Sequence, residues 1–379
     1  MKTVVLIDSF KGSLSSVSAG NAVKRGIQKV YPDSDVVVMP LADGGEGTVD
    51  ALVEGLNGVY RLITVSDPLL RPITAKYGIV YGDTAVIEMS SASGITLVSD
   101  SERNPLNTST YGVGEMIKDA ISYGCRKFII GIGGSATNDG GIGMLTALGY
   151  KFTDKDGNAV GVDGKSLEHV YSVDVSNALI ELKDCEFKVA CDVENTLCGE
   201  NGCSAIYGPQ KGATPEIVRL MDGWLENYAS VTQKTLGIDN KNVAGVGAAG
   251  GLGYALKTYL NANLQSGISL ILSAISAEEQ IKSADFVVTG EGRLDGQSAM
   301  GKAPVGVSTL AKKYDKTVIA FSGCIGNGAE KLNYKGIDAF FPILQAVVNL
   351  ETAMNETVAK TNLEKTAEQV FRLIKRIKN

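Results

Sequence analysis

The 379-residue sequence contains only one histidine, His169, and no CxxC pair among its six cysteines. A single histidine excludes a His-dependent catalytic triad or a multi-histidine metal site within one chain, and the context of His169 is typical of a surface or loop residue. No lysine- or arginine-rich block occurs, and the net charge of −6 disfavours general binding of nucleic acid or anionic membranes. Catalysis would therefore depend on carboxylates, lysine, arginine, hydroxyls, backbone amides and Mg²⁺.

Long apolar runs are absent as well. The N-terminal stretch "MKTVVLIDSF" has an apolar core of only a few residues before Asp8, which is too short for a signal peptide or a membrane span and is typical of a first buried strand. In a large chain without a secretory signal, the six cysteines are most simply reduced thiols. We therefore expect a cytoplasmic protein that binds neither nucleic acid nor membrane.

The length and the order of the predicted elements indicate two α/β domains. A chain of 379 residues exceeds one typical core, and 44% of its residues are hydrophobic. Buried apolar runs alternate with helices near both ends of the chain, which predicts a parallel sheet, whereas "ITAKYGIVYGDTAVIEM" predicts antiparallel strands around "YGD". We predict a discontinuous parallel-sheet domain from residues 1–63 and 284–379, an inserted mixed α/β domain from residues 64–283, and an active site in the cleft between them.

Polar, glycine-bearing loops follow several of the strand-like runs. Glycine lets the backbone approach a ligand closely and present several N–H groups, which is the usual way to hold phosphate. One such loop is more often a turn than a site, but their recurrence at strand ends favours a phosphate and metal site. The loops are "DSFKGS" (Asp8–Ser13), "ADGGEGT" (Ala42–Thr48), "GIGGSATNDGG" (Gly131–Gly141), "ACDVENTLCGENG" (Ala190–Gly202) and "TGEGRLDGQS" (Thr289–Ser298).

The carboxylates of these loops are candidates for holding Mg²⁺ or accepting a hydroxyl proton, and Lys11 is a candidate for neutralising a phosphate or a substrate carboxylate. Structural alternatives stay open: Asp43 could cap a helix, Glu46 could complement a helix dipole, and Asp192 could cap a turn. The carboxylates are Asp8, Asp43, Glu46, Asp139, Asp192, Glu291 and Asp295.

Two familiar nucleotide-binding motifs do not apply. No GxxxxGK[ST] segment is present, which excludes a P-loop enzyme. The segment "GVGAAG" (Gly245, Gly247, Gly250) matches GxGxxG, but the residues before it form a poor strand and no acid follows about 20 residues later. We therefore interpret it as a glycine-rich turn that enters the helix "LGYALKTYL" and either packs closely or lines the cleft.

Together, the motifs resemble those of the type I glycerate kinases. The resemblance covers Asp8 to beyond Val305 and implies two α/β domains, one of them flavodoxin-like. It also implies ATP-dependent phosphorylation of D-glycerate with Mg²⁺, and bacterial members similar to this sequence usually make 2-phosphoglycerate. The segments, in the order of that family, are "DSFKGSLSS", "PLADGGEGT", "SDPLLRPITAKYG", "EMSSASG", "STYGVGE", "GIGGSATNDGG", "CDVENTL", "YGPQKGA", "GAAGGLG" and "TGEGRLDGQSAMGKAPVGV".

The resemblance leads to hypotheses for individual residues. Phosphoryl transfer requires mainly positioning and charge neutralisation, which suits glycine–carboxylate loops. Asp192 is the leading general base, with Asp43 and Asp295 as rivals, and Lys11 would assist the transfer. The candidates for binding substrate are Ser9, Lys11, Arg71 and Asn195, and those for Mg²⁺ are Asp43, Glu46 and Asp295. The candidates for binding the ATP phosphates are Gly133, Gly134, Ser135, Asn138, Asp139, Gly290, Glu291 and Gly292.

The sequence departs from the family at three positions. Leu70 stands where glycine is frequent, Thr196 where proline is usual and Cys203 where alanine is common. These residues affect loop stiffness rather than the acids. Two alternatives stay open: a kinase for another small hydroxy acid, and a nucleotide-responsive regulatory protein without catalysis. The expected partners are D-glycerate and ATP, and a homo-oligomer is compatible with the sequence.

Overall fold

The computed structural model describes residues 1–378, which form thirteen β-strands and thirteen α-helices. The strands are β1 (Lys2–Ile7), β2 (Asp35–Pro40), β3 (Val59–Ser66), β4 (Pro72–Val80), β5 (Thr84–Glu88), β6 (Lys127–Gly131), β7 (Lys151–Thr153), β8 (Ser172–Asp174), β9 (Glu186–Ala190), β10 (Asn263–Gln265), β11 (Phe286–Leu294), β12 (Thr317–Ile325) and β13 (Ala339–Pro342). The helices are α1 (Ser16–Val30), α2 (Thr48–Gly55), α3 (Ser90–Ser93), α4 (Tyr111–Ser122), α5 (Ile142–Ala147), α6 (Cys203–Tyr207), α7 (Pro215–Leu236), α8 (Ala248–Tyr259), α9 (Gly267–Ala274), α10 (Ala277–Lys282), α11 (Ala303–Lys312), α12 (Leu350–Met354) and α13 (Glu356–Lys378).

The chain divides into two compact units. The first comprises Met1–Asp43, Asp50–Asn57 and the chain from Ile268, and the second comprises Gly44–Val49 and Gly58–Gly267. The first unit is thus discontinuous and the second is inserted into it, in agreement with the predicted fold class. Strand β3 pairs with β4 along its whole length and so belongs to the second sheet, whereas the predicted boundary at residue 63 falls inside this strand.

The first unit is built on a parallel five-stranded sheet in the order β13-β12-β11-β1-β2. Numbered within this unit, the order is 2-1-3-4-5, which is the flavodoxin-like arrangement. Strand β1 lies between β11 and β2 and is almost wholly buried, which explains its uninterrupted apolar sequence. Helices α1 and α13 pack together closely, since a Cβ added at Gly26 would lie 2.3 Å from the carbonyl oxygen of Glu364.

The second unit is built on a mixed six-stranded sheet in the order β10-β9-β6-β5-β4-β3. Strands β10, β9, β6 and β5 run parallel, whereas β4 pairs antiparallel with both β5 and β3. The predicted hairpin around "YGD" is confirmed, and its turn uses left-handed backbone at Tyr81 (φ 55°) and Gly82 (φ 79°). A two-stranded antiparallel sheet of β7 and β8 completes the unit.

Candidate active site

A cavity of about 940 Å³ in the first unit is lined from the carboxyl ends of its parallel strands. Asp8 and Lys11 follow β1, Asp43 follows β2, and Glu291 lies in the last part of β11. Gly323, near the end of β12, also lines it. In the 2-1-3-4-5 order the chain leaves β1 and β11 in opposite directions along the sheet, and ligands bind at this change of direction.

Four carboxylates line this cavity, those of Asp8, Asp43, Glu291 and Asp295. Asp8 is only 6% exposed, and its Oδ1 accepts a hydrogen bond of 2.6 Å from the backbone N–H of Ser9. Burial, together with repulsion from Asp43 and Glu291, raises the pKa of Asp8 from its ordinary 3.8 to about 7. Burial also raises the pKa of Glu291, whose Oε1 is buried and has no hydrogen-bond partner among residues 1–378. Such a concentration of negative charge favours a bound cation or a bound proton.

Positive side chains line the same cavity. Lys11, Lys302 and Lys331 contribute ammonium groups, and Arg293 forms an ion pair of 3.2 Å with Asp295. The backbone N–H of Gln297 donates to Asp295 at 2.9 Å and is the main reason that the pKa of this carboxyl is lowered. The lysines suit a polyanionic ligand, whereas the carboxylate of Asp295 is engaged in shaping its own loop.

The predicted phosphate-binding glycines of this unit differ in their surroundings. A Cβ at Gly290 would lie 2.0 Å from the carbonyl oxygen of Phe321, so glycine is required there for the pairing of β11 with β12. At Gly292 a Cβ would meet Phe10 at an ordinary 3.4 Å, and the residue lines the cavity. Of these two glycines, a ligand in the cavity can therefore approach the backbone of Gly292 and not that of Gly290.

In the second unit, the loop Gly131–Gly141 directs most of its polar side chains inward. Asp139 is fully buried, and its carboxylate accepts hydrogen bonds from the N–H and hydroxyl of Thr110 and from the N–H groups of Gly141 and Gly143, at 2.7 to 3.3 Å. Burial raises the pKa of Asp139, although these four donors oppose the shift. The carboxylate thus fixes the start of α4 and α5.

Asn138 is also fully buried, and its side-chain amide donates a hydrogen bond of 2.8 Å to Ser204. Gly133 and Gly134, in contrast, are exposed, and Gly134 has a left-handed φ of 74°. Of the residues predicted to bind phosphate in this loop, only Gly133 and Gly134 therefore have backbone that a ligand can reach. The side chains of Asn138 and Asp139 lie inside the unit.

Lys211 is a buried charged residue that the sequence does not predict as part of a site. It is only 2% exposed, and its Nζ donates to the hydroxyl of Ser135 at 2.8 Å and to the carbonyl of Thr137 at 2.6 Å. Burial lowers its pKa from 10.5 to about 8. Its segment "YGPQKGA" had been noted only as part of the family resemblance, because nothing local in a glycine- and proline-rich stretch predicts a buried ammonium group.

The other predicted residues of the second unit are engaged with neighbours in that unit. The guanidinium of Arg71 donates to Asp67 at 2.6 Å and to Glu102 at 2.9 Å. Asn195 donates to the carbonyl of Asn201 and accepts from the hydroxyl of Tyr207 at 2.6 Å. These partners hold both side chains in place and occupy polar atoms that a substrate would need.

Two predicted carboxylates of the second unit are exposed. The Oδ1 of Asp192 accepts a hydrogen bond of 3.0 Å from the N–H of Gly267, and Glu46 lies in the turn before α2. Asp43 belongs to the first unit and Glu46 to the second, so the two predicted magnesium ligands of this loop are on different units.

The "GVGAAG" segment packs closely, as one of its two interpretations proposed. The N–H of Gly140 donates to the carbonyl of Gly250 at 2.9 Å, and a Cβ at Gly250 would lie 2.0 Å from the carbonyl oxygen of Thr137. Gly250 also has a left-handed φ of 65°. Its glycines therefore support the Gly131–Gly141 loop from within the second unit.

All six cysteines are free thiols, in agreement with the prediction. His169 is exposed at the end of a short 3₁₀-helix, Gly164–His169. Among residues 1–378, no helix combines the length and apolar character that crossing a membrane requires.

A flavodoxin-like parallel sheet with a cavity of acidic and basic side chains at its strand ends defines an α/β protein with a candidate ligand site in its first unit. A family model described as the glycerate kinase family matches residues 3–375. The chain belongs to the glycerate kinase family and is thus a kinase.

Individual relatives agree with this assignment. The chain is 44% identical over 376 residues to a glycerate kinase of Bacillus subtilis (strain 168), covering 99% of this chain and 98% of the relative. It is 46% identical over 354 residues to a glycerate 2-kinase of Escherichia coli (strain K12), covering 93% of each. A crystal structure described as that of a glycerate kinase 2 from Salmonella typhimurium LT2 has a TM-score of 0.92 and 41% identity, covering 100% of this chain and 99% of that one.

Proposed function

We propose that this chain transfers the γ-phosphate of ATP to D-glycerate and that the product is 2-phosphoglycerate. The substrate rests on the names of the relatives, which are glycerate kinase and glycerate 2-kinase at 44% and 46% identity. The observation that supports this chemistry is the cavity of the first unit, which four carboxylates and three lysines line. Phosphoryl transfer needs this combination of positioning and charge neutralisation.

The residues of the cavity fit Mg²⁺. The unpaired Oε1 of Glu291 and the raised pKa of Asp8 both indicate negative charge that a divalent cation would compensate. Residues 1–378 contain no group of three or more His, Cys, Asp or Glu side chains that could hold a metal ion. One or two of Asp8, Asp43 and Glu291 would therefore hold Mg²⁺, and phosphates and water would supply its other ligands, whereas the predicted ligand Asp295 is already engaged. When bound, the ion neutralises charge on the phosphate oxygens.

The lysines would bind the anionic groups of the two substrates. Lys11 is exposed in the loop after β1 and lines the cavity together with Ser9, so these two residues are our candidates for the carboxylate of D-glycerate or the transferring phosphate. Arg71 and Asn195 stay predictions of the same kind, but each would first have to exchange a present partner for the substrate.

Asp192 is the leading candidate for the general base, with Asp43 and Asp295 as rivals. Asp8 is a further candidate if Mg²⁺ is held by its neighbours instead, because its pKa of about 7 would then let it accept the hydroxyl proton of the substrate near neutral pH. If Asp8 is the base, kcat/KM of the wild type falls below pH 7 as Asp8 becomes protonated. The base is the aspartate whose replacement by asparagine removes phosphate transfer in a single turnover and leaves the affinity for Mg²⁺ unchanged, whereas loss of both would identify a Mg²⁺ ligand.

The decisive test of the function is release of ADP from ATP with Mg²⁺ in the presence and absence of D-glycerate. We expect release only when D-glycerate is present, and NMR of the product should show the phosphate on O2. Release that is independent of D-glycerate, or no release with D-glycerate, would refute the proposal. Phosphate on O3 would refute only the assignment of the product.

A further inference from the structure

The cavity of the first unit has an apolar wall that phosphate chemistry does not require. Leu344, which follows β13, and Leu350 and Met354 of α12 form this wall. Leu350 is 76% exposed and Leu344 is 41% exposed. Large apolar side chains left exposed around a concave surface are typical of a binding site, because a ligand that covers them gains about 25 cal/mol for each Å² removed from water.

The wall is held in place by polar contacts behind it. The amide of Gln345 donates a hydrogen bond of 2.8 Å to the hydroxyl of Thr366 on α13. Asn349 caps α12 by accepting a hydrogen bond of 2.9 Å from the N–H of Thr352. The apolar side chains are therefore presented on a fixed segment, which lowers the entropy that a ligand loses when it binds.

The wall adjoins the charged part of the cavity. A Cβ added at Gly12 would lie 3.0 Å from the Cε of Met354, so Met354 lies over the loop that carries Lys11. A single ligand can thus touch the apolar wall with one end and the lysines and carboxylates with the other. The cavity of about 940 Å³ lies within the range of small-molecule sites, which is roughly 300–1,000 Å³.

We propose that the wall of Leu344, Leu350 and Met354 receives the purine base of ATP, with the triphosphate directed toward Lys11 and the carboxylates. The proposal rests on the proposed function, and it adds where the base binds and how it is recognised. A nucleoside triphosphate has the required chemistry, because a flat apolar ring is joined to a polyanion. A wholly apolar ligand would leave the charged part of the cavity without a partner.

Asn362 of α13 supplies recognition of the base. It lines the cavity one helical turn before Thr366, and no hydrogen bond engages its side-chain amide within residues 1–378. An asparagine amide offers one donor and one acceptor side by side, which matches the N6 and N7 edge of adenine. The same amide meets two acceptors, O6 and N7, on guanine. We therefore expect preference for ATP over GTP.

The test compares ATP with inorganic tripolyphosphate, which has the charge but no base. Binding of both, with Mg²⁺, is measured by calorimetry for the wild type, Leu350→Asn and Leu373→Asn. Leu373 is a matched control, since it is 59% exposed on α13 and outside the cavity lining. We expect Leu350→Asn to raise the Kd for ATP at least tenfold and to leave the Kd for tripolyphosphate within twofold. Leu373→Asn should change neither, and Asn362→Leu should reduce the preference for ATP over GTP at least fivefold.

Several results would overturn the proposal. One is a Kd for ATP that stays within twofold of the wild type in both Leu350→Asn and Leu344→Asn. Another is an equal rise of the Kd for ATP and the Kd for tripolyphosphate, which would show that the wall does not contact the base. A changed sedimentation coefficient of Leu350→Asn with unchanged ATP affinity would assign the wall to a contact between copies of the chain. The proposed function is judged separately: a wild type that binds ATP through Leu350 but releases no ADP with D-glycerate refutes the kinase proposal and supports the base site.

Discussion

Replacing Asp8 by asparagine should stabilise the unliganded protein while removing its activity. The folded protein holds the carboxyl of Asp8, 6% exposed, near Asp43 and Glu291. Asparagine has the same shape, keeps an oxygen that can accept the hydrogen bond from Ser9, and cannot ionise. Its NH₂ group could also donate to a neighbouring carboxylate. The variant therefore removes a buried charge without removing volume.

The magnitude follows from the pKa. In the unfolded chain Asp8 loses its proton near pH 3.8, whereas in the folded protein it keeps the proton up to about pH 7. Between these values the folded state binds more protons, so the free energy of unfolding decreases as the pH rises through this window and stays lowered above it. Each pKa unit corresponds to about 1.36 kcal/mol, and with some solvent relaxation in the cavity we expect Asp8→Asn to add about 2 to 4 kcal/mol at pH 8. Most of this difference should be lost at pH 4.

Denaturation by urea at pH 4, 5 and 8, without Mg²⁺ or nucleotide, is the appropriate assay. The only tryptophan, Trp224, lies in the second unit, so its fluorescence follows that unit, and far-ultraviolet circular dichroism follows the whole chain. Two transitions should be allowed in the fit, since a chain of two units need not unfold in one step. Asp295→Ala is the matched control in the same cavity. Because the pKa of Asp295 is lowered, this variant should lose stability at pH 8, and the loss should shrink at low pH.

The reasoning about Asp8 would be refuted by equal stability of wild type and Asp8→Asn at pH 8, or by an advantage that is the same at pH 4 and pH 8. A variant that is more stable and fully active would contradict the assignment of Asp8 to the site but not the electrostatic argument. The expected pairing of higher stability with lost activity is typical of functional sites that hold unfavourable charge.

Three other predictions concern Mg²⁺ binding, the backbone at residue 70 and the buried carboxylate of Asp139. Adding Mg²⁺ should raise the thermal midpoint of the wild type and not that of Asp8→Asn, and an equal rise in both would exclude Asp8 as a ligand. Leu70 has a left-handed φ of 64°, so Leu70→Gly should add about 1 kcal/mol in urea denaturation, whereas Leu69→Gly should not; a loss at residue 70 would show that the strain is relieved elsewhere. Asp139→Asn should cost about 2 to 3 kcal/mol, seen as a lower urea midpoint of Trp224 fluorescence, because an amide cannot accept from all four donors; an unchanged midpoint would contradict this.

The fold could be predicted from the sequence because its signals are local. The apolar run of β1 and the alternation with helices indicate a parallel sheet, and the "YGD" turn indicates a hairpin. The residue at which the first unit gives way to the second was harder to predict. Strand β3 is largely exposed and is defined by its pairing with β4, and pairing between strands is not encoded in either strand alone.

The site could be predicted only in part. The glycines and acids of "DSFKGS" and "TGEGRLDGQS" predict two segments that do line the cavity. The second was expected to be a loop, but its first six residues, Thr289–Leu294, are the end of strand β11. The apolar wall was not recognised, since Leu350 lies in a five-residue helix with no clear pattern. Lys211 and the pairing of Arg71 were also missed. Burial and partners of a charged side chain depend on distant segments, such as Lys211 with Ser135, 76 residues away along the chain.

The two buried aspartates show what separates a structural acid from a functional one. Asp8 and Asp139 both follow strands in glycine-bearing loops, and both have raised pKa values because they are buried. Asp139 is surrounded by four hydrogen-bond donors, so its carboxylate is satisfied and organises the loop. Asp8 accepts one hydrogen bond, from the N–H of Ser9, and repulsion from Asp43 and Glu291 outweighs the attraction of Lys11, so its carboxylate favours a bound cation or a proton. The shortage of donors around a buried carboxylate, rather than the glycines beside it, is therefore our reason for proposing the loop of Asp8 as the reactive one.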